Sequence, residues 1–174
     1  QRTEYTLLLS DPATGLAVRC VAVEYHDFPT VEWTVYLRNT GGSDTPILEN
    51  VQAVDVRFER DAEGEFTLHQ HTGDNCAPDS YRPHEFRLEP DTRHVVASPT
   101  GRPTTGAFPY FNLEWPGAGV IVVVGWPGQW QAQFVRDAAH AVAVVAGQEL
   151  TRFKLHPGEE VRTPLVVLQF WKGD

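Results

Sequence analysis

A period-two alternation of apolar and polar residues is the feature that most constrains the fold of this chain. Residues 31–37 show it clearly, because β-branched and aromatic side chains occupy every second position there. Similar segments recur along the whole sequence, separated by turns rich in Gly, Pro and Asn about every 8–12 residues. The pattern therefore predicts an all-β protein, a large antiparallel β-sandwich with about twelve or more strands.

The alternation places the expected strands as follows. They cover residues 5–9, 17–23, 31–37, 66–69, 84–88, 93–97, 111–115, 120–125, 131–136, 150–155 and 161–171, with one or two more within 47–58. Residues 138–146 are rich in alanine, but valines alternate with small residues there and strands flank the segment, so we expect a strand rather than a helix.

Length, charge and cysteine content limit the class of protein. The 174 residues are enough for one domain, residues 1–174, whose core needs neither a metal nor a disulfide. A net charge of −9 argues against nucleic acid and anionic membranes as partners, and no apolar run approaches the ~20 residues that span a bilayer. Cys20 lies in an apolar alternation and is expected to be buried, whereas Cys76 lies in a polar loop. The pair permits a disulfide without implying one, so cytoplasmic and secreted locations both stay open.

Two features at the ends of the chain suggest a segment of a larger protein. The sequence contains no methionine, so we expect that Gln1 is not the original start. The last predicted strand stops at Trp171, three residues before the final residue. We therefore expect an excised domain.

Three polar or aromatic loops carry the residue types of a sugar site. The first loop, residues 72–83, contains Asp74, Asp79 and Tyr81, and a carboxylate can accept strong hydrogen bonds from two hydroxyls. In the second loop Arg102 stands between Gly101 and Pro103, in a backbone stiff enough to aim its guanidinium group.

The third loop adds two indole rings, Trp126 and Trp130, which can cover the apolar face of a pyranose. The alternatives are structural: an Asx-rich turn around Asp74, a surface arginine at Arg102, and tryptophans that pack between sheets. If the loops converge at one end of the sandwich, they form a candidate carbohydrate site.

The same segments resemble the N-terminal β-supersandwich domain of family 36 glycoside hydrolases, the α-galactosidases. The resemblance covers roughly residues 30–174. Its motifs are the Gly-Asp-x-Cys loop with Asp79 and Tyr81, the Gly-Arg pair at Arg102, the tryptophan-flanked third loop, and the closing Arg-Thr-Pro strand and Trp-x-Gly-Asp. The family shows Gly-Arg-Ser-Ser where this chain has Gly-Arg-Pro-Thr, so Thr104 and Thr105 stand where its serines would supply hydroxyls.

The resemblance implies a non-catalytic domain that packs on a C-terminal (β/α)₈ barrel of the same polypeptide and lends loops to an α-galactoside site. It also implies an exposed, partly apolar face on this chain, and a parent protein that could form a homo-oligomer. The residues agree with a non-catalytic role, because no acid lies at an apolar strand end where its pKa would be raised. No cofactor motif occurs either.

Two other functions stay open at this point. An independent carbohydrate-binding module would use the same loops, but is expected to end in a polar linker. A metal-dependent jelly-roll enzyme would use His69 and His71, which alternate onto one face of a strand. No further histidine stands in a matching strand, so we expect no metal site.

Overall fold

The chain folds entirely into β-structure. The computed structural model describes residues 1–61 and 63–173, and in these ranges it contains strands and no helix. The fifteen strands are β1 Arg2–Asp11, β2 Leu16–Tyr25, β3 Thr30–Asn39, β4 Leu48–Glu49, β5 Gln52–Glu59, β6 Phe66–His71, β7 Pro83–Leu88, β8 Arg93–Ala97, β9 Tyr110–Trp115, β10 Ala118–Gly125, β11 Trp130–Arg136, β12 Ala141–Gln148, β13 Arg152–Phe153, β14 Glu160–Arg162 and β15 Leu165–Lys172. The predicted all-β fold is confirmed. No described helix is long and apolar enough to cross a membrane.

The large sheet joins the two ends of the chain. Its strands follow the order β1-β2-β3-β15-β10-β9-β6-β7, with β14 also paired to β3, and all pairs are antiparallel. The last strand, β15, lies between β3 and β10, so the sheet closes only after the whole chain has been made. Its alternating valines and leucines point Val166 and Leu168 into the core.

A smaller sheet covers part of the large one. Its order is β5-β12-β11-β8, and a short pair, β13-β4, lies apart from it. Between the two sheets lies a core of fully buried side chains. The largest of them are Phe66, Phe111, Phe134 and Trp130. Trp33 marks the edge of this cover, because its indole N–H donates to the carbonyl of Ala53 at 2.8 Å.

Local chemistry explains where the strands differ from expectation. Strand β12 begins at Ala141 rather than at residue 138, because the Asp137 carboxylate accepts the backbone N–H groups of Ala139 and Ala141 and holds a turn. The stretch 161–171 is broken between β14 and β15 at Pro164, which has no N–H for the ladder. Residues 47–58 form two strands, and only Arg152–Phe153 is strand within 150–155.

Strands β1 and β2 extend beyond the smaller sheet, and we call their uncovered apolar face the wing. Strand β1 is exposed almost throughout, with Leu7 and Leu9 each at 59% exposure. The registers align three apolar rows across β1, β2 and β3: Tyr5-Ala22-Trp33, Leu7-Cys20-Val35 and Leu9-Val18-Leu37. The inward alternation of the core thus continues across strands that nothing in the described chain covers.

Candidate functional site

The three sequence-predicted loops lie at one end of the large sheet. Strand β6 ends at His71, which pairs with Pro83 at the start of β7, so residues 72–82 form the connection between them. Tyr110, at the start of β9, pairs with Val123 near the end of β10. Residues 98–109 and 126–129 therefore emerge beside the first loop. We call these three connections the loop end.

The first two loops interlock through their backbones. The N–H of Asp74 donates to the carbonyl of Thr104 at 2.7 Å, and Thr72 forms a β-bridge with Ala107. Gly73 is buried at this crossing, where a Cβ atom would lie 1.7 Å from the Thr104 oxygen. Only glycine leaves room for such an approach, so the two loops form one unit.

The two carboxylates of the first loop differ in their surroundings. Asp74 is turned into the loop, where its Oδ1 atom accepts the N–H of Cys76 at 2.8 Å and the hydroxyl of Ser80 at 3.2 Å. This is the Asx turn that was the structural alternative. The Asp79 side chain is exposed, and its backbone carbonyl, which accepts the Thr72 hydroxyl at 3.1 Å, fixes it in place.

Tyr81 stands at the start of a row of three aromatic rings. Its ring meets Phe108 edge to face at 5.5 Å between centroids, and Phe108 stacks on Tyr110 at 4.8 Å. Tyr81 has a φ of 61° and remains 49% exposed, a strained backbone for a bulky residue. Its N–H donates to the Gly73 carbonyl at 3.4 Å, so the interlocked loops hold the strain.

The sequence reasoning did not include Phe108 and Tyr110 in the site. The signal was the alternation at the start of β9. Phe111 and Leu113 point into the core, so Tyr110 must point outward.

Arg102 bridges the first two loops. Its Nε–H donates to the hydroxyl of Thr105 at 3.1 Å and one terminal nitrogen donates to the carbonyl of Asp74 at 3.3 Å. No carboxylate within residues 1–61 and 63–173 forms an ion pair with it. Since a guanidinium has five N–H donors, most of them remain available on the exposed side.

The two tryptophans lie in different places. Trp130 is fully buried, packs edge to face on Phe111, and donates its indole N–H to the carbonyl of Pro103 at 2.6 Å. The ligand contact expected for it is not available in this structure, and its ring instead supports the second loop from below.

Trp126 is half-buried and lies away from Arg102. The guanidinium of Arg162 lies 5.5 Å from the centre of its ring. It lines a cavity of about 450 Å³ together with Leu150 and Phe153. The structure therefore joins Asp74, Tyr81 and Arg102 through direct contacts, whereas Trp126 faces a separate cavity.

The histidine pair and the cysteines have structural surroundings. Nε2 of His69 lies 2.8 Å from Oε2 of Glu114. In the part of the chain that the structure describes, no group of three His, Cys, Asp or Glu side chains could hold a metal ion. Both cysteines are free. Cys76 is exposed, whereas Cys20 is half-buried on the wing, where burial raises the pKa of its thiol.

Comparison with known proteins finds structural likeness without sequence likeness. No protein-family model and no curated protein matches the chain. The chain superposes on the alpha-galactosidase from Lactobacillus brevis with a TM-score of 0.83 and 14% identity, over 99% of this chain and 23% of that chain. For the galactosidase domain of the alpha-galactosidase-sucrose kinase AgaSK the values are 0.82, 17%, 99% and 24%.

A third match is the GH36 alpha-galactosidase AgaA from Geobacillus stearothermophilus, with a TM-score of 0.82 and 18% identity over 99% of this chain and 24% of that chain. The chain thus spans about a quarter of the length of the solved structures it matches. In these proteins the matched part is the N-terminal region. The chain therefore has the fold of the N-terminal region of GH36 α-galactosidases, as the sequence resemblance implied.

Proposed function

We propose that this chain is the non-catalytic N-terminal domain of an α-galactosidase-like retaining glycosidase. In this role it packs on a catalytic barrel of the same polypeptide and lends its loop end to the carbohydrate site. The observation that carries the proposal is the fold match, which takes in nearly all of this chain but only about a quarter of each neighbour. The remaining three quarters of such a protein would supply the catalytic residues.

The wing supports a large packing partner. Three apolar rows in register across β1, β2 and β3 lie in solvent when the chain is alone. Each leucine that leaves water contributes about 1.5–3 kcal/mol, so an open face of this kind is typical of an interface. A downstream domain on the same polypeptide is the occupant that the share of chain matched in the neighbours favours.

The acids of the chain support a non-catalytic role. A glycosidase needs a general acid whose pKa is raised, facing a second carboxyl group. The pKa values that shift in this chain move downward: hydrogen bonds lower those of Glu65 and Asp137 to about 2, and also lower those of Asp11 and Asp44. Such carboxylates are stabilised as anions and are poor proton donors at neutral pH.

The loop end offers complementary groups to a sugar. Asp79 presents an exposed carboxylate as acceptor, Arg102 presents free N–H donors, and Tyr81 presents a half-exposed ring. Asp74 and Trp130 contribute from within, by fixing the first loop and supporting the second.

Kinetics of the full-length parent test the proposal. We expect Asp79→Ala to lower kcat/KM for an α-galactoside about tenfold or more, as when a charge-assisted hydrogen bond is removed. The matched control is Asp55→Ala, since Asp55 is exposed on β5 in the smaller sheet. The 174-residue chain alone should show no turnover. Unchanged kinetics for Asp79→Ala, or turnover by the isolated chain that an internal carboxylate mutation abolishes, would contradict it.

A further inference from the structure

A tryptophan lies flat on the outer face of the large sheet, at the end opposite the loop end. Trp171, on β15, covers Gly119 on the neighbouring strand β10. A Cβ atom at Gly119 would lie 2.3 Å from Cζ2 and 2.6 Å from Nε1 of that indole. The ring thus rests directly on the backbone of β10, with its opposite face turned away from the sheet.

One hydrogen bond fixes both the ring and its neighbour. The indole Nε1–H of Trp171 donates to Oδ1 of Asn112 at 2.8 Å. Because an indole nitrogen only donates, the Asn112 amide must present its oxygen to the ring. Its NH₂ group is therefore directed elsewhere, and no protein acceptor for it occurs among residues 1–61 and 63–173.

An acceptor stands beside this donor. Glu114 follows Asn112 by two residues on β9, so both side chains project from the same face about 7 Å apart. Oε2 of Glu114 is held by Nε2 of His69 at 2.8 Å, which leaves its other oxygen for a ligand. The ring is accompanied by one oriented amide donor and one oriented carboxylate acceptor.

These groups border an open cavity with a second cavity close by. The first cavity, about 540 Å³, is lined by Asn112, Glu114, Gly117, Trp171 and Gly173, and its size falls within the range of ligand sites. The second, about 410 Å³, includes Tyr25, Phe28 and Gln169 in its lining. Gln169 and Trp171 share one face of β15, so the two cavities are neighbours on that face.

We propose that this outer face is a second carbohydrate site, which takes a neutral oligosaccharide. One pyranose stacks its C–H face on Trp171, the Asn112 amide donates to a hydroxyl, and Glu114 accepts from the next. A following sugar unit occupies the cavity beside Gln169. The site is independent of the loop end.

Nuclear magnetic resonance of the ¹⁵N-labelled 174-residue chain tests the site, with stachyose as the probe and maltotetraose as a sugar of different composition. We expect stachyose to shift the Trp171 indole N–H and the Asn112 side-chain amide resonances, with a dissociation constant in the millimolar range, as about 1 mM corresponds to −4 kcal/mol. The variant Trp171→Phe identifies the indole resonance. No shift of either resonance with either sugar up to 100 mM overturns the proposal.

Variants separate this site from the loop end. Trp171→Ala should abolish the shifts and Asn112→Ala should weaken binding about tenfold. Gly119→Ala should abolish binding although Trp171 is still present, because the new methyl group displaces the ring. Tyr81→Ala and Trp126→Phe are the controls and should leave the affinity unchanged in chains with an unaltered melting midpoint. Binding that survives Trp171→Ala, or that is lost in Tyr81→Ala, overturns the outer-face site without bearing on the proposed function.

Discussion

At the residue scale, the best-defined electrostatic feature is a buried ion pair. Arg136 is almost completely buried, and its Nε–H donates to Oε1 of Glu65 at 2.8 Å while Nη2 donates to Oε2 at 3.2 Å. Nη1 donates to Asp137 at 2.9 Å. The pair links the start of β6 to the end of β11, on opposite sheets of the sandwich.

We predict that Glu65→Gln destabilises the chain by about 3–5 kcal/mol, because it leaves the Arg136 guanidinium buried without its counter-charge. Chemical denaturation at pH 7 measures the loss. The matched control is Glu63→Gln, since Glu63 is exposed two residues away, and it should change the free energy of unfolding by less than about 0.5 kcal/mol. Equal stability of the two variants would contradict the prediction.

The same pair predicts a pH dependence. The Arg136 hydrogen bond, above all, lowers the pKa of Glu65 from 4.5 to about 2. A carboxyl whose folded pKa is depressed stabilises the fold fully above its unfolded pKa and loses this effect as pH falls toward the folded value. Stability of the wild-type chain should therefore fall by about 3 kcal/mol between pH 5 and pH 2 through Glu65. In Glu65→Gln this decrease should be smaller, and the remainder should reflect Asp137, whose pKa is also lowered.

At the element scale, the loop end depends on the interlocking of two connections. The strained Tyr81 backbone, the Asp74 turn and the Arg102 bridge all rest on the contact of Gly73 with Thr104. Residues 72–82 and 98–109 therefore behave as one unit, although a strand pair and a turn separate them in sequence.

We predict that Gly73→Ala forces these loops apart. Its Cβ atom would lie 1.7 Å from the Thr104 oxygen, and backbone on both sides cannot yield without breaking hydrogen bonds. Destabilisation of about 2–4 kcal/mol is expected in thermal melts, with loss of the Tyr81–Phe108 ring contact. Gly101→Ala is the control from the second loop, since nothing lies within 4 Å of a Cβ atom there. A Gly73→Ala chain as stable as Gly101→Ala would show that the loops move independently.

At the scale of the whole molecule, the wing is the feature that the isolated chain leaves unsatisfied. Strand β1 is also an edge strand, with unpaired backbone groups and leucines on both faces, a combination that promotes association. We predict that the double variant Leu7→Glu, Leu9→Glu binds less of a hydrophobic dye and self-associates less than the wild type. Its melting midpoint should stay within about 4 °C, because both side chains are exposed.

Residues of opposite alternation on the same strand provide the control for the wing. Thr6→Glu, Ser10→Glu adds the same charge to β1 on its other face and should leave dye binding unchanged. In the full-length parent, the leucine variant should weaken packing between the domains and expose Cys20 to thiol reagents. Equal dye binding by the two double variants would contradict an apolar interface on the wing.

The sequence by itself determined the fold class and most strands, because the period-two alternation that makes a strand amphipathic is written locally. It also brought Asp79, Tyr81 and Arg102 forward as candidates, through residue type and loop composition. It could not tell Trp130 from Trp126, since both flank the same short turn and only the packing of the sheets decides that one is buried beneath Pro103.

The tertiary structure alone decided which distant residues meet. The insertion of β15 between β3 and β10 brings Trp171 to Asn112 and Gly119, and the loop crossing brings Gly73 to Thr104. These contacts depend on strand order and register, which are set by side-chain packing across the completed sheets. Local alternation fixes which face a residue occupies, but it does not fix which strand lies beside it.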